Sequence, residues 1–376
     1  MRFSLVLFII SFCSGLLIGQ SQPVETNDDS TPKYSNEFLN IGVGARALGM
    51  SNSFIASSDD VYSGYWNPAG LVDIEGKFEG AIMHSEYFAG IAKYDYLGLA
   101  KPIDEKSSIG FSVIRFGVDD IPNTTQLIDS EGNIDYDRVT TFSAADYGFI
   151  FSYARKLKKT GLTFGTNAKI IYRRIGDFSN AFGFGLDAAL NYDVKKYRFS
   201  VVGRDITTTV NSWNTDLGEE VEEIFRLTGN DIPGKSLEIT LPRIILAAKR
   251  ATNISKNLNL VTELDLNITT DGRRNTIIKT DAISMDPTFG FDFGYKDKLF
   301  LRGGIGNIQE RTTLVPINLS LEEVDTEVET TSQWTFQPNF GLGIKLKNIS
   351  LDYALTDIGN ASDALYSNVF SIKLNL

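Results

Sequence analysis

The chain has 376 residues, a formal net charge of −11 and one cysteine. That acidity argues against a nucleic-acid partner, and a lone cysteine excludes a disulfide framework and thiolate metal sites. The 25 Phe, 15 Tyr and 33 Gly suit strands, tight turns and close interior packing.

Residues 1–20 read as a secretory signal: Arg2 is the charged n-region, 3–18 the apolar h-region, with cleavage near 19–22. Cys13 lies inside this segment. Phe12 is too bulky to precede a lipidated cysteine, and apolar residues continue beyond it, so lipidation is disfavoured. Residues 21–39 begin polar and are expected to form a flexible segment.

Residues 40–76 are expected to form a compact N-terminal hatch. Gly42, Gly44, Ala45, Ala47, Gly49 and Met50 permit close backbone contacts, and Trp66-Asn67-Pro68-Ala69-Gly70-Leu71 ends in a turn set by Pro68 and Gly70. The candidate hatch residues are Gly44, Arg46, Gly49, Asn67, Pro68 and Gly70. If the segment is enclosed, Arg46 must pair with a carboxylate: Asp59, Asp60 or an inward acid of a surrounding wall.

From residue 77 to 376 the chain alternates. In 256–269, Leu258, Leu260, Leu264, Leu266 and Ile268 share one face, while Asn259, Glu263, Asp265 and Asn267 share the other. This exceeds the usual strand of about five or six residues and meets the 9–11 or so a membrane-crossing strand needs. Similar rhythm places strands at 77–88, 92–101, 107–116, 144–156, 162–174, 180–193, 196–204, 238–250, 256–269, 286–296, 298–306, 333–345, 348–358 and 366–376. No later stretch approaches the roughly 20 apolar residues of a membrane helix. The predicted class is all-β, a transmembrane antiparallel β-barrel of about 14 strands around the hatch.

Acidic and basic side chains are costly against hydrocarbon, so the apolar faces should point outward and the polar and Gly faces inward. Even-numbered strands are followed by short links and most odd-numbered ones by long links at 117–143, 205–237, 270–285 and 307–332; the first hairpin, near residues 89–91, is the exception. Short turns on one side and long loops on the other fit an outer-membrane barrel whose long loops face outside. Those loops carry Glu219, Glu220, Glu222, Glu223, Glu322, Glu323, Asp325 and Glu327, the candidate partner-binding residues.

No enzyme, metal or cofactor site is expected. His84 is the only histidine and sits in a strand, and no Gly-x-Ser-x-Gly elbow accompanies it. Gly183-Phe184-Gly185 and Gly303-Gly304-Ile305-Gly306 are strand glycines, not a dinucleotide fingerprint.

The run Asn40-Ile41-Gly42-Val43-Gly44-Ala45-Arg46-Ala47-Leu48-Gly49-Met50, followed by Trp66-Asn67-Pro68-Ala69-Gly70-Leu71, resembles the start of the PorV/PorQ family, within the wider FadL-like group of outer-membrane barrels. The resemblance implies a fourteen-stranded barrel with an N-terminal plug. It also implies a non-enzymatic component of the type IX secretion system of Bacteroidota. Its expected partners are outer-membrane lipid, the translocon barrel and cargo C-terminal sorting domains. A FadL-type channel for hydrophobic small molecules is the alternative, and it would need an apolar lumen. Ile150, Ile171, Ala189 and Val261 are inward apolar candidates on faces otherwise polar or Gly. A soluble secreted β-protein is the third reading.

Overall fold

The computed structural model describes residues 34–127, 133–158, 161–314, 330–356 and 367–376. The expected signal at 1–20 and the segment 21–33 lie outside the described residues. The described residues form a closed antiparallel β-barrel of 14 wall positions with a hatch in its lumen.

In chain order the strands are β1 (Glu79–Tyr87), β2 (Ala92–Pro102), β3 (Ser107–Asn123), β4 (Thr140–Lys156), β5 (Leu162–Ile175) and β6 (Ser179–Val194). Then follow β7 (Tyr197–Arg204), β8 (Thr209–Thr215), β9 (Ser236–Thr240), β10 (Arg243–Ser255), β11 (Leu258–Thr269) and β12 (Ile278–Lys279). The last are β13 (Ser284–Tyr295), β14 (Leu299–Leu314), β15 (Thr330–Leu346), β16 (Ile349–Thr356) and β17 (Ser367–Asn375). β17 pairs with β1 from Glu79↔Asn375 to Glu86↔Asn368 and closes the sheet. Closure leaves no edge strand to satisfy in lipid.

β7 and β8 are two halves of one wall position, because both pair with β6. β9 and β10 are halves of the next, pairing with β8 and β7. The first pair breaks at 205–208, where Asp205 and Thr208 adopt positive φ of 54° and 59°. The second breaks at Leu241 and Pro242, where proline cannot donate to the ladder.

Each strand expected from alternation is present, but several run further. β3 continues to Asn123, β4 starts at Thr140, and β14 and β15 stay paired out to Leu314↔Thr330. The links expected at 117–143 and 307–332 are therefore partly wall, and 205–237 contains β8 and a helix. These extensions carry no sustained apolar alternation to read.

The faces are sorted as barrel physics requires. Phe182, Phe184, Leu264, Phe289, Phe336, Phe340, Leu342 and Phe370 are exposed on the outside. Asn167, Asp187, Asn191, Glu263, Asp265, Asp292, Arg302 and Asn339 are buried on the inside. Charges within and greasy side chains without invert a soluble protein and fit a wall facing acyl chains. Cross-strand aromatic pairs such as Phe111–Phe151, Tyr172–Phe182 and Tyr353–Phe370 (ring centroids 4.9, 4.8 and 5.1 Å apart) reinforce the wall. Among the described residues no helix is long and apolar enough to cross a membrane.

β1 and β2 depart from this pattern. Their inward face holds Ala81, Met83, Tyr87, Tyr94 and Tyr96, all buried. Tyr62 of the hatch stacks on Tyr96 with centroids 5.3 Å apart. The outward positions include a charged row: His84 Nδ1 lies 2.7 Å from Asp95 Oδ1, and Arg115 and Lys93 complete it through Asp95 and Asp119. His84 is exposed and ion-paired.

Candidate functional site: the enclosed hatch and the long-loop face

The hatch has almost no regular structure. It consists of 3-10 turns at Glu37–Asn40 and Pro68–Asp73 and single helical turns at Ala45–Leu48 and Ser63–Trp66. Enclosure starts earlier than residue 40: Ser35, Asn36, Phe38 and Leu39 are already buried. The end of the segment expected to be flexible is thus anchored, and Tyr94 donates its hydroxyl to the Phe38 carbonyl at 3.0 Å.

An irregular backbone inside a barrel leaves many N–H and C=O groups without partners of their own. The inward wall supplies them. Asp265 Oδ2 accepts from the N–H groups of Phe54 (3.0 Å) and Ile55 (3.2 Å), and Glu263 Oε1 accepts from Ala56 N (2.5 Å). Glu79 Oε2 accepts from Val61 N at 2.9 Å, and Ser371 Oγ from Ala45 N at 3.1 Å. Asn339 and Asn167 donate to the carbonyls of Leu48 and Gly64. The polar lumen is in large part the hatch's set of hydrogen-bond partners. The hatch thus accounts for the polarity of the inward faces.

The candidate hatch residues come together around this packing. Gly44 has φ of +84°, and a Cβ there would meet the Tyr62 ring at 3.1 Å. Gly49 lies against the wall glycine Gly341, where an added Cβ would sit 2.9 Å from its Cα. Asn67 is fully buried: its Oδ1 caps Ala69 N (3.1 Å), and its Nδ2 donates to Ile55 O and to Asn191 Oδ1 on β6, both at 2.8 Å. Pro68 opens the following turn, where its missing N–H is no loss. Gly70 and the wall's Gly165 permit backbone approach, since a Cβ at either would lie 2.1 Å from Ser58 O or Ala69 N.

Arg46 finds the carboxylates its burial demands. Its Nη1 is 2.8 Å from Asp59 and 3.8 Å from Asp60, and its Nε is 3.2 Å from Asp292 on β13. The network continues through Arg302 to Asp352 (2.6 Å) and from Asp60 to Lys373 (2.7 Å). Burial alone would depress the Arg46 guanidinium, but Asp59, Asp292 and Asp60 together hold its pKa well above the ordinary value. Burial would raise the Asp59 carboxyl, yet Arg46, Lys249 and Lys373 pull it well below the usual carboxylate range.

Two cavities flank the hatch. One of about 550 Å³ opens at the short-turn end among Arg46, Glu79, Lys249, Lys345 and Lys347. Another of about 490 Å³ opens at the long-loop end among Trp66, Arg204, Arg243, Asp265, Asp286 and Asn339. Composition gave no hint of Arg204 or Arg243, because register brings them together, not spacing.

The long-loop face holds part of the candidate partner surface. Glu219–Leu227 is an amphipathic helix, not a loop. Glu219 and Glu223 are exposed and Glu222 half-buried; Glu222 and Glu223 pair with Arg226, so their charge is partly compensated within the helix. Glu220 lies in the same helix. Glu322, Glu323, Asp325 and Glu327 lie outside the described residues.

The chain was compared with known proteins. A family model described as type IX secretion system protein PorV matches residues 25–205, which takes in the hatch and the wall through β7. No curated protein matches the chain. Among solved structures it is similar to the CymD monoaromatic hydrocarbon channel, at 10% identity and TM-score 0.52, covering 89% of this chain and 98% of that one. The toluene transporter TbuX of Ralstonia pickettii is similar at 11% identity and TM-score 0.50, with 89% and 98% covered. The toluene transporter TodX of P. putida is similar at 11% identity and TM-score 0.50, with 89% and 99% covered. At such identities these likenesses bear on the fold alone. The family match, the hatch motif on which it falls and the closed barrel with its apolar exterior make this chain a Gram-negative outer-membrane protein whose residues 25–205 match the PorV family of the type IX secretion system.

Proposed function

We propose that the protein receives secreted polypeptides on its long-loop face, beside the type IX translocon barrel, and holds or passes on cargo carrying a C-terminal sorting domain. The match of the family model over residues 25–205 carries this reading. The hatch supports it: the segment fills much of the lumen and is tied to the wall on many sides, which suits a rigid receiving surface better than an open pore. The acidic helix Glu219–Leu227, with Leu227 exposed, is the described part of the proposed docking surface. The segment 315–329, with Glu322, Glu323, Asp325 and Glu327, belongs to the same proposal, as does an origin in Bacteroidota. On this reading the protein is not an enzyme.

The test replaces 315–329 with a short Gly-Ser turn, joining the ends of β14 and β15, and separately reverses Glu219, Glu222 and Glu223 to Lys. Both variants should retain heat-modifiable gel migration. They should lose most of the secreted proteins that co-purify after gentle extraction from outer membranes. Undiminished co-purification would rule out this face as the docking surface. Bound fatty acid or other apolar small molecules, with no protein partner, would favour uptake instead.

A further inference from the structure

Arg204 on β7 and Arg243 on β10 face each other as the last register pair before both wall positions break. Arg204 is only 7% exposed and Arg243 is half-buried. Among the described residues neither has a carboxylate within ion-pair distance. Arg204 reaches only the carbonyls of Leu39 (3.5 Å) and Tyr65 (3.2 Å) and lies over the rings of Tyr65 and Trp66, 4.9 and 5.7 Å from their centroids. Arg243 donates to Asn40 Oδ1, its one hydrogen-bond partner among the described residues. By contrast Arg46, Lys169, Arg198, Arg302 and Lys373 each rest on at least one acid.

The nearby acids are already engaged. Asp205 and Asp187 hold Lys169 at 2.5 and 2.8 Å, and Glu37 accepts from Arg274 and Asn40. Two neighbouring guanidiniums taken from water repel each other and keep their donors unspent on charge. An anion bridging them would relieve both costs, and a planar fork of donors is matched by a carboxylate.

The cavity they line also selects the anion. Its charged lining is Arg204, Arg243 and Arg274 against Glu37, Asp265 and Asp286, three of each sign. That sum is neutral, so a monoanion held by the arginine pair adds the least charge beside Asp265 and Asp286, whereas a dianion such as phosphate would add a second. Asp265 is itself buried with its Oδ1 unpartnered, and Asp286 Oδ1 is likewise unpartnered. Trp66 and Ile245 give the same cavity an apolar side that can accept what the carboxylate is attached to.

We propose that Arg204 and Arg243 form a binding site for the terminal carboxylate of a chain entering from the long-loop end. The chain is either a polypeptide C-terminus or an acyl chain; both offer the same head group. The site is assigned from the arginine pair itself, and its test uses the isolated barrel, so it stands or falls separately from the secretion reading.

The measurement is fluorescence anisotropy on the full chain in neutral detergent. The probe is a labelled decapeptide ending in a free carboxylate, against the same peptide ending in an amide. Decanoate and decanol are the competitors. The acid peptide should bind at least about tenfold tighter than the amide, as a charge-assisted bidentate contact supports. Arg243→Gln should abolish the preference while heat-modifiable migration is kept, and Arg204→Gln should do the same. Acid-selective peptide binding identifies a polypeptide terminus as the ligand. Displacement by decanoate but not decanol, without peptide binding, identifies an acyl chain. Equal or absent binding of all four compounds up to millimolar concentration overturns the site, as does an acid preference that survives both substitutions.

Discussion

A guanidinium set among Gly and Ala can be enclosed only where acids wait for it, and Arg46 shows how far that rule reaches from one sequence. The requirement for Asp59, Asp60 or a wall acid followed from desolvation alone, and the structure provides all three, with Asp292 as the wall acid. Which wall acid it would be was not legible, because Asp292 is 246 positions away and only strand order brings it near. Removing a partner from a buried pair typically costs about 3–5 kcal/mol. Asp59 is 40% exposed, so Arg46→Ala should lower stability by the smaller figure of about 2 kcal/mol, read as earlier thermal loss of heat-modifiable migration. The Asp59 carboxyl is held below its ordinary value, so its contribution is complete above the unfolded pKa of about 3.9 and lost as pH falls through the lower folded value. The gap between wild type and Arg46→Ala should therefore be constant from pH 5 to 8 and close only in strong acid. A gap that changed within that window would place the latch on other groups. The Arg204–Arg243 pair, in contrast, could not be read at all: nothing in the local sequence at either position marks a site.

Elements were legible wherever one face met lipid and the other did not. Wall positions other than β1 and β2 carry that contrast over their central residues, which is why alternation located them to within a few positions in the membrane-crossing part. It failed at the ends, where β3, β4, β14 and β15 run on without a sustained apolar alternation. It failed again at the twin break, where β8 fell within the expected link 205–237 and β9 and β10 read as the single strand 238–250. The helix Glu219–Leu227 was missed because five of its nine residues are charged, which resembles a solvated loop in composition. The hatch was recognisable by its small residues, but the reason for the polar wall opposite it was not. β11 illustrates the point: Asp265 and Glu263 serve three consecutive backbone N–H groups of the hatch, at residues 54, 55 and 56. Asp265→Ala would leave two of these donors unpaired, at about 1–3 kcal/mol for each buried orphan. The expected outcome is faster proteolysis within the hatch near residue 55 with the barrel wall still intact. Proteolysis at the wild-type rate would mean that the wall acids do not secure this segment.

At the scale of the whole molecule, closure and enclosure are one arrangement. A barrel of this size would leave an aqueous lumen, and the hatch occupies much of it while taking its backbone partners from the inward side chains. The wall glycines opposite the hatch complete the fit: Gly165 admits Pro68 and Ala69, Gly290 and Gly304 admit Met50, and Gly341 admits Gly49. This arrangement separates the long-loop face, where polypeptide partners are proposed to dock, from a short-turn face with Lys345, Lys347 and Lys373 around its cavity. Disulfide trapping of the hatch against the wall tests the arrangement most directly. Ala45 N lies 3.1 Å from Ser371 Oγ, and Cys13, the chain's one cysteine, falls in the expected signal. Ala45→Cys combined with Ser371→Cys, oxidised in native outer membranes and run without reductant, should give a shifted band that reductant abolishes. Neither single substitution should give it. Full recovery of free thiols in the double variant, with the barrel folded, would contradict a hatch seated inside its own barrel.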